Sequence, residues 1–276
     1  MCDGCPALDS PRIGAWYQSG AVQRSLDGIL GAFRIWNIAA DGKDVCPTLN
    51  SPHLVADFAF GSTLAAGNVL KDLSGQNHDG IIHNAGFTDE PPPWDPSLCD
   101  ASGGRVDAQL ATDVQAWSRF FDGDSDYVKL DWLKEYGRPE FDTVSIEVWV
   151  KFFSTQGNHP IMNEDNWDVG DLHYQIYAST FGFDVHPRGG DSGDTGDFTF
   201  GWQPSTNEWY FISVVYSSTA GCFSVGAPCI ELNVNNELVE TSSAANPIHG
   251  PPITLDSPRI GAWYVVGRAR LITIEQ

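Results

Sequence analysis

The chain has 276 residues and a formal net charge of −21, with only 15 Lys plus Arg and no cluster of them, which argues against nucleic acid as a partner. With 42% hydrophobic residues, ten Trp and fifteen Phe it can fill a sizeable core, so an intrinsically disordered chain is excluded. No apolar run is long enough for a transmembrane helix. Long apolar stripes of helical period are missing, while 28 Gly and 17 Pro punctuate short alternating runs. That pattern predicts an all-β sandwich or barrel.

In chain order, the decapeptide Leu-Asp-Ser-Pro-Arg-Ile-Gly-Ala-Trp-Tyr occupies Leu8–Tyr17 and recurs unchanged at Leu255–Tyr264. Such identity marks one structural position of a repeated unit. Strands are expected at Arg12–Trp16, at Ile29–Ile38 (Ile29, Phe33 and Ile35 on one face) and at Leu54–Phe60 (Leu54, Ala56, Phe58 and Phe60 on one face). Ile81–His83 is a short strand, and Asp89–Val114 is a long loop with three consecutive prolines. Arg119–Phe121 leads through Asp122-Gly123-Asp124-Ser125-Asp126 into Tyr127–Leu130. Val144–Val150 alternates most regularly, with Val144, Ile146, Val148 and Val150 opposite Ser145, Glu147 and Trp149. Further strands are read at Tyr174–Tyr177, Phe181–Val185, Phe198–Gln203, Trp209–Tyr216, Cys229–Val234, Glu237–Glu240 and Arg259–Trp263, with a hairpin turn at Asn235-Asn236. Trp209 is assigned to the core.

Six cysteines at scattered spacings fit disulfides better than a metal site. Cys222 and Cys229 flank a short loop between two strand-like runs and are expected to pair, as are Cys46 and Cys99 in two Pro-rich loops. Cys2 and Cys5 form one C-x-x-C, without the second pair that a zinc ribbon needs. Disulfides place the chain in an oxidising compartment, extracellular or at the cell surface, with a signal peptide expected upstream of Met1.

Several landmarks then fall in a recognisable order. Ala56-Asp57-Phe58-Ala59-Phe60 is followed by Asp72-Leu73-Ser74-Gly75 and Asp79-Gly80, then by Phe120-Phe121-Asp122-Gly123 through Tyr127-Val128. Val144–Val150 with its internal Trp, Glu208-Trp209 through Tyr216, Asn233–Leu238 and Arg259-Ile260-Gly261 follow. These motifs resemble the laminin-G-like domains, whose fold is a two-sheet antiparallel jelly-roll sandwich of the concanavalin A-like class. The family's closing strand is missing after Tyr264 and stands instead at Asp27–Asn37, so the resemblance is in permuted order. It implies terminal strands at 1–42 that complete the sandwich, with Ile29–Ile38 antiparallel beside Leu54–Phe60 in the same chain, a domain at 52–264 lacking its own last strand, and a divergent tail at 265–276. Gly31 and Ala32 replace the acidic pair usual in that strand, which implies a weaker calcium site than in relatives.

Two readings stand for Asp122, Asp124 and Asp126: oxygen ligands for Ca2+, or an Asx-rich turn in which the carboxylates serve backbone geometry. Trp94, Trp167 and Trp202 lie in or beside loops and Trp149 on the polar face of its strand, so these four are the candidates for stacking on a sugar. Glycosidases of this architecture need two carboxylates on one sheet face, and the strand around Glu147 offers Ser145 and Trp149 in the places of partners. The expected function is therefore a non-catalytic, extracellular module that binds a glycan or another protein, cut from a longer repeat protein. The alternatives are a glycoside-acting enzyme domain and a structural repeat that self-associates by strand exchange.

Overall fold

A computed structural model of the chain describes residues 17–18, 21–22, 25–40, 51–60, 67–90, 92–93, 118–124, 126–130, 140–163, 172–177, 180–185, 198–217, 229–242, 253–254 and 259–260. These residues hold strands and no helix. In chain order they are β1 (Tyr17–Gln18), β2 (Ala21–Val22), β3 (Asp27–Trp36), β4 (Leu54–Ala59), β5 (Val69–Leu70), β6 (Gly80–His83) and β7 (Gly86–Thr88). Next come β8 (Ser118–Asp122), β9 (Tyr127–Lys129), β10 (Glu140–Phe141), β11 (Thr143–Phe152), β12 (Asn158–Asn163), β13 (Leu172–Tyr177) and β14 (Thr180–Val185). The last are β15 (Phe198–Thr199), β16 (Trp209–Ser217), β17 (Cys229–Val234), β18 (Glu237–Thr241), β19 (Ile253–Thr254) and β20 (Arg259–Ile260).

Two eight-stranded antiparallel sheets make the fold. One runs β18-β17-β16-β11-β3-β8-β7 with β4 also on β3, and the other runs β15-β14-β13-β12-β20-β9-β6-β5. One core lies between them. Val144, Ile146, Val148 and Val150 of β11 meet Leu70, Ile82, Val128, Leu130, Ile161 and Met162 from the opposite sheet, all buried. Each large side chain buried there contributes about 1.5–3 kcal/mol.

The centre of the first sheet is β3, which has β11 along one side and two strands in succession along the other. Residues Asp27–Leu30 pair with Asp122–Arg119 of β8, and Ala32–Trp36 pair with Ala59–Leu54 of β4. The antiparallel pairing of β3 with β4 is the one the resemblance implies, made in cis. Gly31 is the switch point. It is skipped in the register with β11, where Trp149 faces Ala32 and Val150 faces Leu30. A Cβ on Gly31 would stand 2.8 Å from Pro92 Cγ, so only glycine admits that proline.

The bulge corrects the expected alternation. An extra residue reverses the phase of a strand, so Leu30, not Ile29, joins Phe33 and Ile35 in the core. A second irregularity, between Ile35 and Trp36 against β4, puts Leu54 opposite Trp36 on the other face from Ala56 and Phe58. The expected strand Phe198–Gln203 stops at Thr199, after which Phe200 is buried and the chain turns through Gly201. β12, which contains Pro160 and a bulge at that point, was not anticipated, and neither was the edge strand β7. Asn235 and Asn236 both take positive φ, 52° and 68°, as a two-residue hairpin requires.

Of the repeated decapeptide, Arg259–Ile260 of the second copy lies between β12 and β9 in the second sheet. In the first copy only Tyr17 is described, in the β1–β2 hairpin. The strand expected at Arg12–Trp16 lies outside the described residues.

Candidate functional site

The face of β11 turned away from the core carries the charged chemistry. Register sets Glu147 opposite Arg34, and Arg34 opposite Asp57. Arg34 Nε donates to Asp57 Oδ1 at 3.1 Å, and its Nη1 lies 3.8 Å from Glu147 Oε2. Trp36 Nε1 donates to the same Glu147 oxygen at 3.0 Å. All three charged residues are only 1% exposed. The pairing of β11 with β16 extends the row to Ser213.

Along its own strand Glu147 has only Ser145 and Trp149 as neighbours on the same face. The partners come from β3 and β4, and the signal lay in Arg34 and Asp57 of two motifs already singled out. Even so, both carboxylates are engaged by one guanidinium in a closed setting. General acid–base work at a glycosidic bond requires carboxyl groups that reach the substrate, and this pair is spent on holding three strands together.

Beside this row, Trp149 is 9% exposed and packs on Phe211, ring centroids 5.4 Å apart. It is therefore not presented at the surface. Trp209, expected in the core between the sheets, is half-buried on this outer face instead, and its Nε1 donates to Glu90 at 3.2 Å. The phase of β16 decides this: Phe211 and Trp209 fall opposite Trp149 and Lys151, whose side chains point outward.

The aspartate turn is built from its own carboxylates. Asp124 N donates to Asp122 Oδ1 at 2.8 Å, and Asp122 N donates to Asp126 Oδ2 at 3.0 Å. Gly123 takes φ +79° and donates to the Leu26 carbonyl at 3.0 Å. Asp126 is 4% exposed; its carboxyl is pushed above the ordinary carboxylate range, first by desolvation and then by Asp122 and Asp124, against one backbone hydrogen bond. Asp27, opposite Asp122 in register, is raised mainly by burial as well. Among the described residues no group of three or more His, Cys, Asp or Glu is placed to hold a metal ion. Asp72 is likewise a hub of its turn: its oxygens accept from the backbone of Asp57, Ser74 and His78 and from Ser74 Oγ.

Among the described candidate aromatics, Trp202 is the one that reaches solvent. It follows β15 on a loop, is half-buried against the core, and meets the Tyr210 ring edge-on at 5.2 Å and 84°. Tyr210 Oη donates to Glu208 Oε2 at 2.8 Å and accepts from Ser205 N at 3.0 Å. Gly201 N donates to Glu240 Oε2 at 2.6 Å, tying this loop to β18 of the other sheet. Gln203, Ser205 and Glu208 around the pair are exposed. Nothing in the sequence marks Tyr210, Glu208 and Glu240 for this place beyond Tyr210 and Glu240 lying in expected strands and Glu208 just before one.

Cys229 is buried and disulfide-bonded. Trp94, Trp167, Cys46, Cys99 and Cys222 lie outside the described residues.

No protein-family model matches the chain, and no curated protein is similar to it in sequence. Solved structures do align with it. The binding domain of botulinum neurotoxin DC in complex with SialylT is 13% identical over 75% of this chain and 42% of that one, TM-score 0.44. The same domain with rat synaptotagmin II is 14% identical over 71% and 41%, TM-score 0.42. A structure concerning ganglioside-dependent cell entry of botulinum neurotoxin type C is 14% identical over 71% and 40%, TM-score 0.42. The chain spans about two fifths of the length of these matched chains.

Proposed function

We propose that this chain is a non-catalytic, extracellular binding module of laminin-G-like type, and that it contacts a glycan at the rim formed by Trp202 and Tyr210. The half-exposed Trp202–Tyr210 pair is the observation that carries this reading. An aromatic ring offers an apolar face to a pyranose, and the exposed Gln203 and Glu208 supply hydrogen-bonding groups at its edge. The loop is held from both sides, by Tyr210 and by Glu240, so little ordering entropy is lost on binding. The Arg34-bound carboxylates support the non-catalytic part, and the disulfide at Cys229 supports an oxidising environment. The repeated decapeptide supports an origin in a longer protein with tandem units.

A glycan-array screen of the intact chain, with and without EDTA, tests the reading. Trp202→Ala is expected to weaken binding of the best glycan about thirtyfold, the size of an aromatic hot spot, and to lower the melting temperature through lost packing on the core, so affinity is compared well below both transitions. Unaltered affinity in that variant, or an array without any hit, overturns the rim as the site. The Ca2+ reading of Asp122, Asp124 and Asp126 is tested separately, by melting the chain in millimolar calcium and then in excess EDTA, where an unchanged melting temperature leaves only the turn.

A further inference from the structure

Arg119 sits in β8 between Leu30 of β3 and Phe87 of β7. It is 3% exposed. Nη1 donates to the Ala85 carbonyl at 2.8 Å, and the guanidinium carbon lies 3.6 Å from the centre of the Phe87 ring. The other two nitrogens, Nε and Nη2, are buried and reached by no hydrogen-bond partner. Those two form one edge of the guanidinium, a pair of parallel N–H donors. Burying a cation without a counter-charge is costly. Burial alone brings the Arg119 pKa down to about 10.

The cover over this cation is slight. Phe87 is 48% exposed and belongs to a three-residue strand at the edge of its sheet. A short edge strand, hydrogen-bonded along one side only, is among the easier parts of a sheet to displace.

We propose that the Nε–Nη2 edge of Arg119 binds one carboxylate side-on, in two parallel charge-assisted hydrogen bonds, when the short strand β7, whose Phe87 ring lies on the face of the guanidinium, moves aside. A planar monoanion matches the single fork in both charge and geometry. A phosphate dianion would bring a second charge with nothing in the fork to offset it, and the net charge of −21 discourages polyanions further. The Trp202 rim lies by β15 and β18, at the other ends of the two sheets from β7, so this site stands or falls independently of the glycan reading.

The test uses the intact chain, melted at constant ionic strength in chloride, acetamide, acetate or glucuronate, with the Arg119 Nε–H resonance followed by NMR. Acetate and glucuronate are expected to raise the melting temperature saturably, by about 3 °C, and to move the Nε–H resonance downfield. Acetamide and chloride should do neither. A larger effect of glucuronate than of acetate would assign the carboxylate to an acidic sugar, and equal effects to the bare group. Arg119→Lys and Arg119→Met are expected to abolish the response, the first because an ammonium lacks the fork, while Phe87→Ala keeps it. Acetate acting no more than chloride, or a response that survives Arg119→Met, overturns the proposal. Should those variants not fold, an Nε–H resonance of the wild-type chain that stays fixed through the acetate titration overturns it equally, leaving water as the partner of the fork.

Discussion

Arg34 and Arg119 are two almost fully buried arginines in neighbouring strands of one sheet, and their surroundings are opposite. Arg34 lies between β4 and β11, each of which brings a carboxylate to it. Arg119 lies between Leu30 and Phe87, which bring only apolar surface and one aromatic face. A sheet thus tolerates a buried guanidinium in two ways. In one, register delivers counter-charges and the cation becomes a structural joint. In the other, the cation keeps a donor edge in reserve for something from outside.

The largest effect expected from breaking this contrast comes from removing β3 itself. Deleting residues 1–41 leaves Asp57 and Glu147 without their cation and strips a central strand from between β11, β4 and β8. Loss of a soluble, cooperatively melting monomer is expected by size exclusion and calorimetry. A monomer of unchanged melting temperature would show that the strand is dispensable.

Arg34→Met comes next, with a destabilisation of about 3–5 kcal/mol in urea unfolding, because it strands two carboxylates in a closed site. The same substitution at Arg119 should lie within about 1 kcal/mol of wild type, since it deletes a charge that has no counter-ion. Equal losses at the two positions would erase the distinction between them.

The smallest effect concerns pH. The Asp126 carboxyl is raised in the fold, so the folded state binds its proton more tightly than the unfolded chain does. Its ionisation opposes folding at neutral pH, and that penalty is relieved as pH falls through the raised value toward the ordinary range near 4. Asp126→Asn should therefore be as stable as wild type or slightly more so at pH 7, with the difference vanishing in acid. A variant that loses stability at pH 7 would mean that the hydrogen bond from Asp122 outweighs the burial of charge.

Much of the strand order was legible in the residues. Period-two alternation placed β11, runs apolar on both faces placed β16 and β17, and paired asparagines placed the β17–β18 hairpin, because these signals are local and each residue states its own preference. Trp202 reads as an aromatic in or beside a loop, yet within an expected strand that ends at Thr199. Tyr210, which meets its ring, and Glu240, which accepts from Gly201, were not legible, since nothing within a window of a few residues links position 201 to position 240. Pro160 hid β12, as a proline argues against a strand wherever a bulge cannot be foreseen.

What the sequence by itself determined is therefore the all-β class and most of the strands and turns, while the pairing of β3 with β4 followed only from the resemblance carried by the permuted motifs. Only the tertiary structure decided that Leu30 turns inward, that Trp209 turns outward, and that Arg34 meets two acids where Arg119 meets none. The physical reason is register. A single skipped residue at Gly31 reverses the faces of everything on one side of it. Strands 23 and 111 residues apart along the chain, joined at Arg34–Asp57 and Trp36–Glu147, become neighbours only when the whole sheet is assembled.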